Sequence, residues 1–172
     1  MGNLHVTLLT TKEDKANYIH QLTKDIEALE LMISEGMIEK SPIRIGAEQE
    51  FCIVDNAFLP NNNALEILKD VNDPHFTTEI GNYNLEINLD PFELKDDCFS
   101  KLHNQLKTLL QKAKTSASKY DSKVVLTGIL PTLSIKHIGN ENMTPIPRYS
   151  VLNEAIKASR KQDFNIHIKN FF

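Results

Sequence analysis

Arg44-Ile45-Gly46-Ala47-Glu48-Gln49-Glu50-Phe51-Cys52-Ile53 is where the chain changes its hydrophobic period. Before it, apolar residues recur every three or four positions. Around it, Ile43, Ile45, Phe51 and Ile53 share one side of an extended segment, while Arg44, Glu48 and Glu50 share the other. Such a strand belongs to a sheet with one packed face and one open face, the usual arrangement of antiparallel sheets. A second segment repeats the pattern. In Asn84-Leu85-Glu86-Ile87-Asn88-Leu89 the leucines and isoleucine face one way and Asn84, Glu86 and Asn88 the other, until Asp90-Pro91 ends it.

Outward from these strands, Tyr18, Ile19, Leu22, Ile26, Leu29, Met32 and Ile33 predict an amphipathic helix from Thr11 to about Met37, ending near Gly36. Leu65 to Val71 reads as a short helical or irregular link. Phe76-Thr77-Thr78-Glu79 resumes an extended chain, with a bend or bulge at Gly81-Asn82. Asp96 or Asp97 is positioned to cap a long helix reaching about Tyr120, with Phe99, Leu102, Leu106, Leu109, Leu110 and Ala113 as its buried stripe. A strand is expected over Lys123 to Leu130, a helix over Arg148 to Lys161 and a last strand over Phe164 to Ile168. The order predicts an α+β fold, mainly an antiparallel sheet with helices on one face and carboxylates on the other. Phe171 and Phe172, left uncovered after the last strand, suggest the N-terminal portion of a longer domain.

The 172 residues carry 19 basic and 23 acidic side chains, net −4, with no separate block of either sign. That balance argues against nucleic acid, and the apolar runs are too short to cross a bilayer. Cys52 and Cys98 stand apart, without zinc or redox spacing, which suits a reducing cytoplasm. There are three arginines, Arg44, Arg148 and Arg160, so bidentate recognition of phosphate or carboxylate has few candidates.

Glu48 and Glu50, two apart on an extended chain, point from one face with Cα atoms roughly 6.5–7 Å apart. Glu86, and Glu79 with it, would join them if the second strand lies beside the first. Magnesium takes hard oxygen ligands and shares them with substrate phosphates, so carboxylates from adjacent strands suit it. An isolated Glu-x-Glu pair is also common on any solvent-facing strand, and by itself requires no metal.

The wider pattern is more specific. Gly46-Ala47-Glu48-Gln49-Glu50-Phe51, then Glu79 and Glu86 within Glu-Ile-Gly-Asn-Tyr-Asn-Leu-Glu-Ile-Asn, then Gly128-Ile129-Leu130-Pro131-Thr132 and Met143-Thr144-Pro145-Ile146-Pro147-Arg148-Tyr149, resemble the N-terminal part of the glutamate–cysteine ligase family, especially its bacterial carboxylate–amine ligase branch. The resemblance spans about positions 43 to 168. It implies a glutamine-synthetase-like catalytic fold, with Glu48, Glu50, Glu79 and Glu86 as magnesium ligands and ATP as co-substrate. It further implies activation of a glutamate-like side-chain carboxylate as an acyl phosphate, attacked by cysteine or another amine, as in glutathione biosynthesis. A non-catalytic binding or assembly module, keeping half of the fold and pairing with itself or a partner chain, is the alternative.

Arg44 shares the face of Glu48 and Glu50 and is a candidate for phosphate or substrate carboxylate, or for an ion pair with one of those glutamates. Arg148 opens a helix after Pro147, where it would bind nucleotide or position the loop. Asn84 and Asn88 flank Glu86 and would orient it or make ordinary cross-strand bonds. Cys52 reads as a small buried thiol. His75, His103 and His137 read as solvated loop or surface histidines.

Overall fold

The computed structural model describes Val6 and residues 9–160. They fall into two compact units, one of His20–Thr144 and one combining residues up to Ile19 with those from Pro145 onward. The expected last strand and the aromatic end at Phe171 and Phe172 lie outside the described residues.

In chain order the elements are α1 (Lys12–Ser34), β1 (Arg44–Ile45), β2 (Glu48–Val54), α2 (Ala64–Val71), β3 (Phe76–Thr78), β4 (Asn84–Asn88), β5 (Phe92–Glu93), α3 (Cys98–Ser118), β6 (Lys123–Val125) and α4 (Pro147–Arg160). Two 3₁₀ turns, Ile135–His137 and Asn140–Asn142, precede α4. The fold is α+β with antiparallel sheets, as expected. The main sheet has the order β3-β4-β2-β6, and β1 with β5 forms a separate two-stranded ribbon. The segment read as one strand through Ile43–Ile53 is therefore two, broken at Gly46-Ala47, with the halves pairing to different partners.

The register settles which side chains share a face. Phe51 lies opposite Leu85, Gln49 opposite Ile87, and Ile87 opposite Phe76. Phe51, Ile53, Leu85, Ile87 and Phe76 are buried, and with Ala64 and Ile67 of α2 and Leu102, Leu109, Ala113 and Ala117 of α3 they form the core. α2 and α3 thus cover one face, and the even-numbered residues of β2 and β4 are left on the other.

One boundary, one cap and two stripes differ from the sequence reading. β6 ends at Val125, not Leu130, because the chain leaves the ladder and returns over the open face, where Leu130 is buried with Cys52 and Val54. In α3 the inward residue of the first turn is Cys98, whereas Phe99 is 64% exposed. Asp97 makes no side-chain cap and instead pairs with Lys101 at 2.9 Å. α1 does end in a left-handed Gly36 (φ 68°), with the Met37 N–H donating to the Met32 carbonyl at 2.8 Å. No residue of α1 is buried, so its apolar stripe does not enter the described core.

Candidate metal centre

The open face of the main sheet carries its charge at one end. Glu50 stands directly opposite Glu86 on the β2–β4 ladder, and Glu86 stands opposite Thr77 on the β4–β3 ladder. Glu79, two residues beyond Thr77, returns to the same face. One carboxylate oxygen from each of Glu50, Glu79 and Glu86 lies within 4.8 Å of the others. Like charges placed opposite one another weaken a sheet, so this arrangement costs stability unless something offsets it. The cost is visible in Glu79. Its partial burial, then the charges of Glu50 and Glu86 and a hydrogen bond with Glu86, push its carboxyl above the usual carboxylate range.

Three neighbours hold the cluster in shape. Asn88 Nδ2 donates to Glu86 Oε1 at 2.7 Å, which fixes that carboxylate on the open face. Thr144, 1% exposed, donates its hydroxyl to the Glu79 carbonyl at 2.6 Å, and its N–H to the Ile80 carbonyl at 2.8 Å. Gln49 Nε2 donates to the Glu50 carbonyl at 2.7 Å. Ile53 N–H bonds toward β4, so the backbone groups of Glu50, three residues earlier, point to the β6 side. There the shortened β6 has left a vacancy in the ladder that Gln49 fills.

Glu48 is not part of the triad. It faces Asn88 across the ladder, exposed, beside a hollow of about 300 Å³ lined with Gly46, Ala47, Asn88 and Leu89. Arg44 pairs with neither Glu48 nor Glu50. Its guanidinium grips Glu39 through Nε at 2.9 Å and Nη2 at 3.1 Å, at the surface of the β1–β5 ribbon. Arg148 sits in the first turn of α4, half-buried, in the other compact unit. Cys52 is the buried thiol expected, 3% exposed, and burial pushes its thiol pKa up. Asn84 contacts Cys52 Sγ and the Phe51 carbonyl, both at 3.5 Å, rather than Glu86.

Sequence reasoning missed Thr144, Gln49 and the surroundings of His75. Thr144 was inside a motif already singled out, but nothing local shows that its hydroxyl reaches residue 79. His75 is not a solvated loop histidine: Asp73 Oδ1 lies 2.7 Å from its Nδ1, and Asp90 Oδ1 lies 3.3 Å from its Nε2. The sequence signal was the neighbouring Asp73, whose turn brings both side chains together.

No family model, curated protein or solved structure matches the chain. Among the described residues no helix is long and apolar enough to cross a membrane. The chemistry of the donor set is therefore the ground on which the site is judged. Three carboxylates, with no nitrogen or sulfur donor among them, are oxygen ligands of the kind a hard cation takes, and a divalent charge there would offset the share of Glu79's rise that comes, after burial, from Glu50 and Glu86.

Proposed function

We propose that this chain carries the N-terminal part of an ATP- and magnesium-dependent carboxylate–amine ligase akin to glutamate–cysteine ligase. The observation that carries the reading is the convergence of Glu50, Glu79 and Glu86, drawn from both motifs, on one point of the sheet face away from the helices. Glu50, Glu79 and Glu86 would hold the cation, with Glu48 two residues from Glu50 along β2. Bound magnesium supplies charge neutralisation for the nucleotide phosphates and the phosphoryl group in transfer.

The reaction transfers the terminal phosphoryl of ATP to the side-chain carboxylate of a glutamate-like substrate, leaving ADP and an acyl phosphate. The amine of cysteine or another acceptor then attacks that carbonyl, phosphate leaves, and an amide remains. The chain's own residues position more than they react. Asn88 holds Glu86, Thr144 fixes the backbone of Glu79, and the helices behind the sheet keep β2 and β4 in register. No side chain need act as nucleophile, and Cys52, buried with a raised pKa, is poorly suited to it. The two free buried cysteines fit a reducing cytoplasm.

The test is magnesium-dependent ATP turnover, offering glutamate with and without cysteine, on the chain and on Glu50→Gln and Glu86→Gln. ADP formation that needs both amino acids and disappears in either variant supports the ligase. ATP hydrolysis indifferent to the amine sinks it in favour of a phosphohydrolase. A second reading, a binding or assembly module, draws on α1, where Ile26, Leu29 and Ile33 are each more than half exposed. Association that rises with concentration, in a folded chain without turnover, favours that module.

A further inference from the structure

On the far side of β4 from the acidic cluster's neighbours β2 and β6, His75 lies between two carboxylates. Asp73 precedes it in the turn before β3, and its Oδ1 is 2.7 Å from His75 Nδ1. Asp90 follows β4, and its Oδ1 is 3.3 Å from His75 Nε2. Gln105 of α3 also reaches the ring, its Nε2 being 3.3 Å from His75 Nε2. Gln105 in turn accepts the Asp90 backbone N–H through Oε1 at 3.1 Å and donates from Nε2 to Asp90 Oδ2.

The donor count of the ring limits which of these contacts it can make. An ionised carboxylate only accepts hydrogen bonds, and a neutral imidazole carries one N–H. Asp73 also accepts from the His75 backbone N–H at 3.1 Å and from Lys112 Nζ at 2.6 Å, and Asp90 also accepts from Gln105 Nε2. Each carboxylate therefore keeps a donor in either state, but only the imidazolium lets the ring itself donate to both. When the ring is neutral, the shorter and less exposed contact keeps the proton on Nδ1, facing Asp73. Nε2 then becomes an acceptor, with the Gln105 amide within reach and Asp90 unable to donate. The charged groups facing the ring are Asp73 and Asp90, with Lys112 of α3 beyond Asp73, its Nζ 2.6 Å from Asp73 Oδ2. The ring is not arranged as a general base, because both nitrogens are already engaged.

We propose that His75 is a protonation-dependent switch whose charged ring donates to both Asp73 and Asp90, and whose neutral ring exchanges its direct contact with Asp90 for Gln105, which stays bonded to Asp90. The exchange matters to the sheet because the His75 carbonyl accepts the Asn88 N–H at 2.8 Å, at the last rung between β3 and β4. The electrostatics agree in direction: the hydrogen bond to Asp73, and after it the contact with Asp90, raise the His75 pKa against the opposing effect of partial burial.

The test is ¹⁵N NMR titration of the His75 ring, assigned with His75→Gln, in the folded chain and in the same chain unfolded in urea. The expected result is a folded midpoint above the unfolded one, with the proton kept on Nδ1 on the alkaline side. Asp90→Asn should lower the midpoint, since it removes a partner of the charged ring. Gln105→Met should raise it, since it removes the partner of the neutral ring and the donor that competes with the charged ring for Asp90. Circular dichroism of each variant confirms that it is folded before its titration is read. A folded midpoint at or below the unfolded one, a neutral ring protonated on Nε2, or shifts of the same sign in the two variants would each overturn the switch.

Discussion

Glu79 is a partly buried carboxylate held close to two others, Glu50 and Glu86. Its folded pKa lies above its ordinary value, so the folded chain holds that proton more tightly than the unfolded one. Stability from this group is therefore complete below about pH 4.5 and declines as pH rises through the raised value. Glu79→Gln should melt higher than the parent at pH 7 without divalent ions, by about 2–4 °C for each kcal/mol of repulsion relieved. Millimolar magnesium should raise the parent's melting temperature and leave the variant's unchanged, as binding to the native state alone requires. An equal magnesium shift in both would remove Glu79 from the site. Glu48 gives an internal comparison, because it lies outside the triad. Calorimetric titration with magnesium should show Glu48→Gln losing less affinity than Glu50→Gln, and the reverse order would make Glu48 the principal ligand.

At the scale of elements, strands β2 and β4 set the site through alternation, and their faces were legible because a period of two needs no tertiary information. The same holds for Gly36, which alone suits the left-handed turn ending α1. The failures have one cause: the deciding contact lies far away in sequence. Both Cys98 and Phe99 stand at helical spacing from Leu102, so periodicity could not choose which faces the sheet. Lys123 to Leu130 looks like one strand until Leu130 is seen folded back on Cys52 and Val54. Thr144 is tied to residue 79 across 65 positions, and no local pattern encodes that. Thr144→Val keeps the volume and removes the hydroxyl, so it should cost about 1 kcal/mol in chemical denaturation. Thr144→Ser should recover most of that loss. Equal stability of the valine variant and the parent would deny the hydroxyl any part in holding Glu79. Leu85, fully buried at the centre of the main sheet, sets the contrasting scale: Leu85→Ala should cost about 2–5 kcal/mol.

Across the whole molecule these groups act together on the pH range in which the fold is most stable. Asp73 bounds the acid side. Burial opposes its ionisation, but Lys112 and then the backbone and ring of His75 outweigh it, holding the carboxyl at about 2 against an ordinary 3.8. Its contribution is present above pH 3.8 and lost as pH falls toward 2. Asp70, lowered by Lys119, and Glu39, lowered by Arg44, act in the same direction. The alkaline side is bounded differently. His75 contributes fully below pH 6.5 and loses its contribution as pH rises through its raised value, while Glu79 adds its repulsion above 4.5. Thermal stability should therefore be greatest near pH 4.5, decline above it as Glu79 loses its proton and further above 6.5 with His75, and fall on the acid side. Two variants separate the limbs. Asp73→Asn should lower the maximum and flatten the acid limb, since Lys112 and His75 both lose their partner. Glu79→Gln should flatten only the alkaline limb, and magnesium should do the same to the parent by offsetting the charge that Glu79 takes on. A parent profile that instead keeps rising from pH 6.5 to 8 would mean that groups other than His75 and Glu79 govern the alkaline limb.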